Sequence, residues 1–235
     1  ALLHALMNPS AYPHPAGEIR LLETHISYVL LTGQFAYKIK KAVNLGFLDF
    51  TRLEQRHFFC KEELRLNSRL APGLYLSVVP IGSSPQCAQV GATVSIVDYA
   101  VKMREFPQSA LLDRRLAESR LTPAHVDQLA DRIAEFHKNL VPTADGKDFG
   151  SPDSVWQPVD QTICRLRKEL VAAAQGKDAE LTMLDELEAW SRQQYARLEP
   201  ALAVRKHDGF VRECHGDMHL GNIVWLDDQP LVFDG

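Results

Sequence analysis

Apolar residues change their spacing once along this chain. Between Glu18 and about Met103 they gather in short runs rich in Ile, Leu, Val and Tyr. From Pro107 onward they recur at helical three- and four-residue intervals. That order predicts an α+β fold in two lobes. Residues 1–103 form a strand-rich lobe with one helix, and residues 104–235 form a mainly helical lobe.

Within the first part, Glu18–Thr24 and Ser27–Thr32 read as strands. Thr32-Gly33-Gln34 reads as a tight turn and Phe35–Lys41 as the returning strand. Asp49–Thr51 starts a helix that runs to about Arg69 and stops before Ala71-Pro72-Gly73. Tyr75–Ile81 and Val94–Met103 are further strands, flanking a hairpin tip over Gly82–Gly91. In the second part, helices are expected over Ser109–Ser119, Pro123–Leu140, Val159–Ala174 and Ala179–Leu198. A loop is expected over Thr143–Pro158, and Phe210–Gly235 returns to short strand-like pieces, Phe210-Val211 among them, around a polar loop.

Composition narrows the class. Apolar residues make up 46% and charged residues 24%, as in ordinary globular proteins. No apolar run approaches the ~20 residues that span a bilayer, so no membrane role is expected. Lys and Arg number 26 against 30 Asp and Glu, a net charge of −4. A nucleic-acid partner would want a basic surplus, so none is expected. Cys60, Cys87, Cys164 and Cys214 are far apart and form no Cys-x-x-Cys pair, which fits reduced thiols and a cytoplasmic location. A start at Ala1 and an end at Gly235 read as a piece of a longer protein.

The chemistry concentrates near the end. His215-Gly216-Asp217-Met218-His219-Leu220-Gly221-Asn222 is a polar loop bracketed by short apolar pieces, and Asp234 follows the triplet Leu231-Val232-Phe233. An Asp, an Asn a few residues on, and a second Asp beyond a hairpin are the side chains that phosphoryl transfer needs. The first, Asp217, takes or orients the acceptor hydroxyl's proton, while Asn222 and Asp234 offer oxygen to Mg²⁺ on the nucleotide phosphates. A polar turn between two strands is the bland alternative. A metallophosphoesterase using His215, Asp217 and His219 is a lesser one; it lacks an early Asp-x-His, and Ile223 stands where a histidine is wanted.

The string HGDMHLGN with the later VFDG resembles the catalytic loop and metal aspartate of the aminoglycoside phosphotransferase and choline kinase-like families, relatives of the protein kinases. From Glu18 to the end, the chain is also similar to the N-terminal part of bacterial proteins that join such a domain to a P-loop ATP-binding domain. The resemblance implies a two-lobed protein kinase-like fold, its helical lobe cut short at Gly235. It further implies transfer of a phosphoryl group from ATP or GTP, with Mg²⁺, to a hydroxyl of a small molecule. A kinase-like module that binds nucleotide or ligand and regulates without turnover is the competing reading.

The remaining nucleotide contacts follow from that pattern. Phe35-Ala36-Tyr37-Lys38 matches the V-A-I-K strand, which makes Lys38 the phosphate clamp. Lys40 lies on the same strand face and is the alternative. All three lysines, Lys41 included, could instead be solvated edge residues. On the first-lobe helix, Phe59, Glu63, Leu66 and Leu70 fall on one stripe. A carboxylate there is costly to bury unless paired, so Glu63 is the expected partner of the lysine, with Glu62 as the fallback. By its position Met103 would line the back of the adenine pocket or pack as ordinary core, and Arg104, Glu105 and Phe106 would supply linker backbone groups. No glycine-rich loop is present; Thr24, His25 or Ser27 stands where it would be, as phosphate donors or as a plain strand connection. The acidic residues Asp178, Glu180, Asp185, Glu186 and Glu188 read as a solvated helix face or as a wall for a cationic substrate.

Overall fold

The structure is a computed structural model that describes residues 2–46, 49–83, 87–143, 147–173 and 177–235. The expected α+β class is what it shows. Two compact units divide the described residues. One comprises Ala1–Phe136 with His215–Gly235, and the other comprises His137–Cys214.

The first unit is organised by a six-stranded antiparallel sheet. Its strands are β1 (Arg20–Glu23), β2 (Ser27–Leu31), β3 (Phe35–Lys40), β4 (Tyr75–Ser83), β5 (Ala88–Val90) and β6 (Ile96–Arg104). Their spatial order is β1-β2-β3-β6-β4-β5, which puts β3 and β6 in the interior. The β2–β3 turn is set by Gly33 at φ +91° and by Thr32, whose N–H and hydroxyl both donate to the Phe35 carbonyl.

Register decides what each sheet face carries. Val29 pairs with Lys38, Leu31 with Ala36, and Ala36 with Met103. Val29, Leu31, Ala36 and Met103 join Tyr75, Leu74 and Cys60 in one core cluster. Tyr37, Ile39 and Leu30 point the other way, into a core closed by α1 (Leu2–Leu6) and Tyr12. Lys38 and Lys40 are therefore buried on an interior strand, and the solvated edge reading does not apply to them.

Helix α2 runs from Leu53 to Asn67 and buries Arg56, Cys60, Glu63 and Asn67. The expected apolar stripe is thus mostly polar, with Phe59 and Leu66 only half-buried and Phe58 exposed. The reason lies across from it. The residues facing α2 include Lys38, Lys40 and Asp98, so the helix turns its complementary charges inward.

Several boundaries differ from expectation. The hairpin tip over Gly82–Gly91 carries strand β5, and the part of it at residues 84–86 lies outside the described residues. A single turn of 3-10 helix over Gln108–Ala110 precedes α3 (Leu112–Ala117), and α4 is Pro123–Asn139. Helix α5 (Pro152–Ala172) begins inside the stretch read as a loop to Pro158. Ser151 caps it by accepting from the Ser154 N–H, and Pro152 sits where no intrahelical donor is needed. Residues 144–146 of that stretch, and Ala174 at the expected end of this helix, lie outside the described residues. Helix α6 (Asp178–His207) runs through Pro200, which removes one backbone donor without ending the helix. Phe210-Val211 is not a strand; one isolated bridge joins Arg212 to Pro142. Strands β7 (Ile223–Leu226) and β8 (Gln229–Val232) form a two-stranded hairpin, packed by Val224 and Leu231 into the cluster that holds Ala36, Tyr75 and Met103.

Candidate active site

The loop before β7 is held by its own histidines. Nε2 of His215 lies 3.1 Å from the Phe233 carbonyl, an acceptor only, so that nitrogen carries the proton. Its Nδ1 then accepts from the Asp217 N–H at 3.3 Å. His219 Nδ1 accepts from the Gly221 N–H at 3.1 Å. Asn222 donates through Nδ2 to the Asp217 carbonyl at 3.1 Å and to its carboxylate Oδ2 at 3.3 Å. Asp217 and Asn222 thus form one unit, with the Asp217 carboxylate mostly exposed.

Burial holds the His215 pKa below its ordinary value, which suits the neutral ring that both hydrogen bonds require. A histidine with a depressed pKa stabilises the fold above its unfolded value, near 6.5, and that contribution fades as the pH falls below it. We predict that the melting temperature declines from pH 7 to pH 5 more steeply for wild type than for His215→Asn. Parallel declines in a thermal-melt series would remove His215 from this role.

Asp234 closes the far side. It adopts φ +65°, a left-handed conformation, and its N–H donates to the Tyr75 hydroxyl at 3.2 Å. Next to it, the Gly235 N–H donates to Asn67 Oδ1 at 2.9 Å, while Asn67 Nδ2 donates to the Glu63 carbonyl at 2.9 Å. A Cβ at Gly235 would come within 2.7 Å of the His215 ring, so the close approach requires glycine there. Neither Tyr75 nor Asn67 was expected in the site. Asn67 was legible as the residue one turn after Glu63 on the polar stripe of α2. Tyr75 acts through a backbone N–H remote in sequence, and no local pattern signals that.

Charge joins these pieces. Lys38 Nζ forms ion pairs with Asp234 Oδ1 and, at 2.9 Å, with Glu63 Oε1. Lys40 Nζ pairs with Glu63 Oε2 at 2.7 Å. Burial pushes the Lys38 pKa down, but the Glu63 and Asp234 carboxylates outweigh it and the net direction is up. Burial pushes the Glu63 carboxyl up, and the two ammonium groups hold it below the usual carboxylate range. Glu62 instead faces outward and pairs with Arg65 at 2.8 Å.

Lys38, Asn222 and Asp234 line one open cleft. Its apolar wall includes Val29, Leu31, Ala36, Tyr75, Met103 and Phe233. Arg104, Glu105 and Phe106 line it too. The Arg104 N–H donates to the Leu74 carbonyl and the Glu105 N–H to that of Gln34, whereas the Phe106 N–H has no partner among the described residues. Glu105 also ties the β2–β3 turn down, its carboxylate accepting from the Gly33 N–H at 2.7 Å. Thr24 lines the cleft; His25 and Ser27 do not. In the second unit, Arg167 pairs with Asp185 and Glu188, Arg192 with Glu188, and Lys177 with Glu180, so those acids form a neutralised helix face.

Two oxygens of the cleft stand ready for a cation. Asn222 Oδ1 and the second carboxylate oxygen of Asp234 accept no hydrogen bond among the described residues, and hard cations take such ligands. Among the described residues, no group of three or more His, Cys, Asp or Glu side chains could hold a metal by itself, as a metallophosphoesterase would need. No described helix is long and apolar enough to cross a membrane.

A model described as the phosphotransferase enzyme family, APH, matches residues 96–234. Three curated relatives, each called an uncharacterized protein, one from Mycobacterium bovis and two from Mycobacterium tuberculosis, are 25% identical over 224 residues. The match covers 94% of this chain and 42% of each relative, so the chain spans less than half their length. No solved structure matches the chain.

Proposed function

The chain belongs to the phosphotransferase enzyme family, and from that membership we propose that it transfers the γ-phosphoryl group of ATP or GTP to a hydroxyl of a small molecule. One observation carries the reading. Lys38 and Asp234, distant in sequence, meet in an ion pair inside the cleft that Asn222 also lines.

Each residue then has a task. Lys38, oriented by Glu63, grips the nucleotide phosphates. Met103 backs the adenine, and the Phe106 N–H offers it a hydrogen bond from the Arg104–Phe106 linker. Asn222 Oδ1 and Asp234 hold Mg²⁺, which when bound neutralises phosphate charge. Asp217, steadied by the Asn222 amide, accepts the proton of the acceptor hydroxyl on its carboxylate. Catalysis here is positioning and charge compensation more than covalent chemistry.

The regulatory alternative is favoured by one feature: the Lys38–Asp234 ion pair engages the carboxylate that a metal would need. The intact Asp217–Asn222 unit favours turnover. A cytoplasmic location is proposed with it, supported by four cysteines far apart in the sequence with no Cys-x-x-Cys pair. We also place the P-loop ATP-binding domain implied by the sequence resemblance in the part of a longer protein that lies outside this chain. Incubating this chain, and any longer protein containing it, with γ-labelled ATP, Mg²⁺ and a panel of hydroxylated metabolites and antibiotics tests the reading. Label transfer to a member of the panel supports it. Nucleotide binding without transfer to anything supports the regulatory alternative.

A further inference from the structure

The phosphate-clamp role needs one lysine on one glutamate, yet this cluster buries two. Lys40 is as buried as Lys38, on the same face of the same interior strand, but neither it nor Glu63 lines the cleft. Its ammonium lies 2.7 Å from Glu63 Oε2 and 5.3 Å from the centre of the Phe50 ring. Phe50 is itself fixed from behind. Arg56 Nη1 donates to the Phe50 carbonyl at 3.0 Å while Arg56 Nε holds Asp98 at 2.8 Å. Lys40 is therefore held against Glu63, outside the cleft that Lys38 lines.

We propose that Lys40 is a positioning residue for the nucleotide clamp, completing a Lys38–Glu63–Lys40 triad whose surplus positive charge is offered to phosphate. The inference rests on the phosphotransferase reading and deepens it. Two arguments support it. A lone carboxylate turns easily about its last torsion, whereas the Lys40 hydrogen bond to Oε2 restrains that turn and keeps Oε1 toward Lys38, 2.9 Å away. Charge gives the second. Lys38, Lys40, Glu63 and Asp234 sum to zero, and once Asp234 turns to a metal the remaining triad is left with one positive charge beside the phosphates. Without Lys40, the Lys38–Glu63 pair would be neutral and would attract phosphate far less in this poorly solvated setting.

The test titrates a non-hydrolysable ATP analogue with Mg²⁺ into wild type, Lys40→Met, Lys40→Gln, Lys40→Arg and Lys38→Met, with thermal melts alongside. We expect Lys40→Met and Lys40→Gln to weaken binding about tenfold and Lys40→Arg to stay within about threefold of wild type. Lys38→Met should weaken binding at least as much as Lys40→Met. Should Lys40→Met not fold, Lys40→Gln, which keeps a donor to Glu63 without the charge, decides. Wild-type affinity in a folded Lys40→Gln, with only the melting temperature lowered, would reduce Lys40 to a structural ion pair and overturn the inference. Loss of binding in the Lys40 variants with binding kept in Lys38→Met would make Lys40 itself the phosphate contact and overturn it too. Failure of wild type to bind the analogue at all would remove the phosphotransferase reading as well.

Discussion

Replacing Asp217 with asparagine should lower turnover by about three orders of magnitude while nucleotide affinity stays within about twofold. The substitution keeps size and shape, and its amide oxygen can still accept from Asn222 Nδ2, so the loop keeps its geometry. What disappears is a carboxylate able to take the acceptor's proton. Asp217 does not line the cleft and touches neither Lys38 nor Asp234, which separates binding from chemistry at this position. Steady-state kinetics with the best acceptor, paired with analogue titration, reads both quantities. Equal turnover in the variant would take Asp217 out of the reaction, and equal losses of turnover and affinity would make its role structural.

Glu63→Gln should destabilise the fold by about 3 kcal/mol, because it leaves the buried Lys40 ammonium without a counter-charge and Lys38 with Asp234 alone. Glu62→Gln should change stability by no more than about 0.5 kcal/mol, since its pair with Arg65 is exposed to water. The two glutamates are adjacent in sequence and differ only in the face of α2 they occupy. Urea unfolding of both variants against wild type makes the comparison. Similar midpoints for the two would contradict the buried triad.

The site was legible to the extent that its chemistry lies in local strings. The loop from His215 to Asn222 and the later Asp234 stand out because a loop and a hairpin bring together oxygen-bearing side chains that a mere turn does not require. Lys38 could be singled out only together with Lys40, since period two puts both on one face. The structure divides them by placing Lys38 alone in the cleft. Glu63 was legible through the cost of burying a carboxylate, but the stripe around it was read as apolar. Helix α2 actually buries Arg56 and Asn67 with it, because its partners on the sheet are charged. Tertiary context there outweighed the usual expectation that helices bury apolar faces.

The less legible parts have separate physical causes. Thr143–Pro158 was read as a loop, whereas the helix that contains Pro158 starts from a good cap at Ser151 and tolerates the loss of one hydrogen bond. Strand β5 is short and pairs only with β4, so no run of its own announces it. The Tyr75 contact that holds Asp234 joins residues far apart in the chain through a backbone N–H, which carries no sequence signature.

The central claim is that Lys38, Asn222 and Asp234 together receive a metal-bound nucleotide, and calorimetric titration of a non-hydrolysable ATP analogue with and without Mg²⁺ tests it most directly. Binding to wild type should strengthen at least about tenfold when Mg²⁺ is added. In Asp234→Asn that Mg²⁺ dependence should vanish. Binding that ignores both the metal and the substitution, or no binding in either protein, would contradict it.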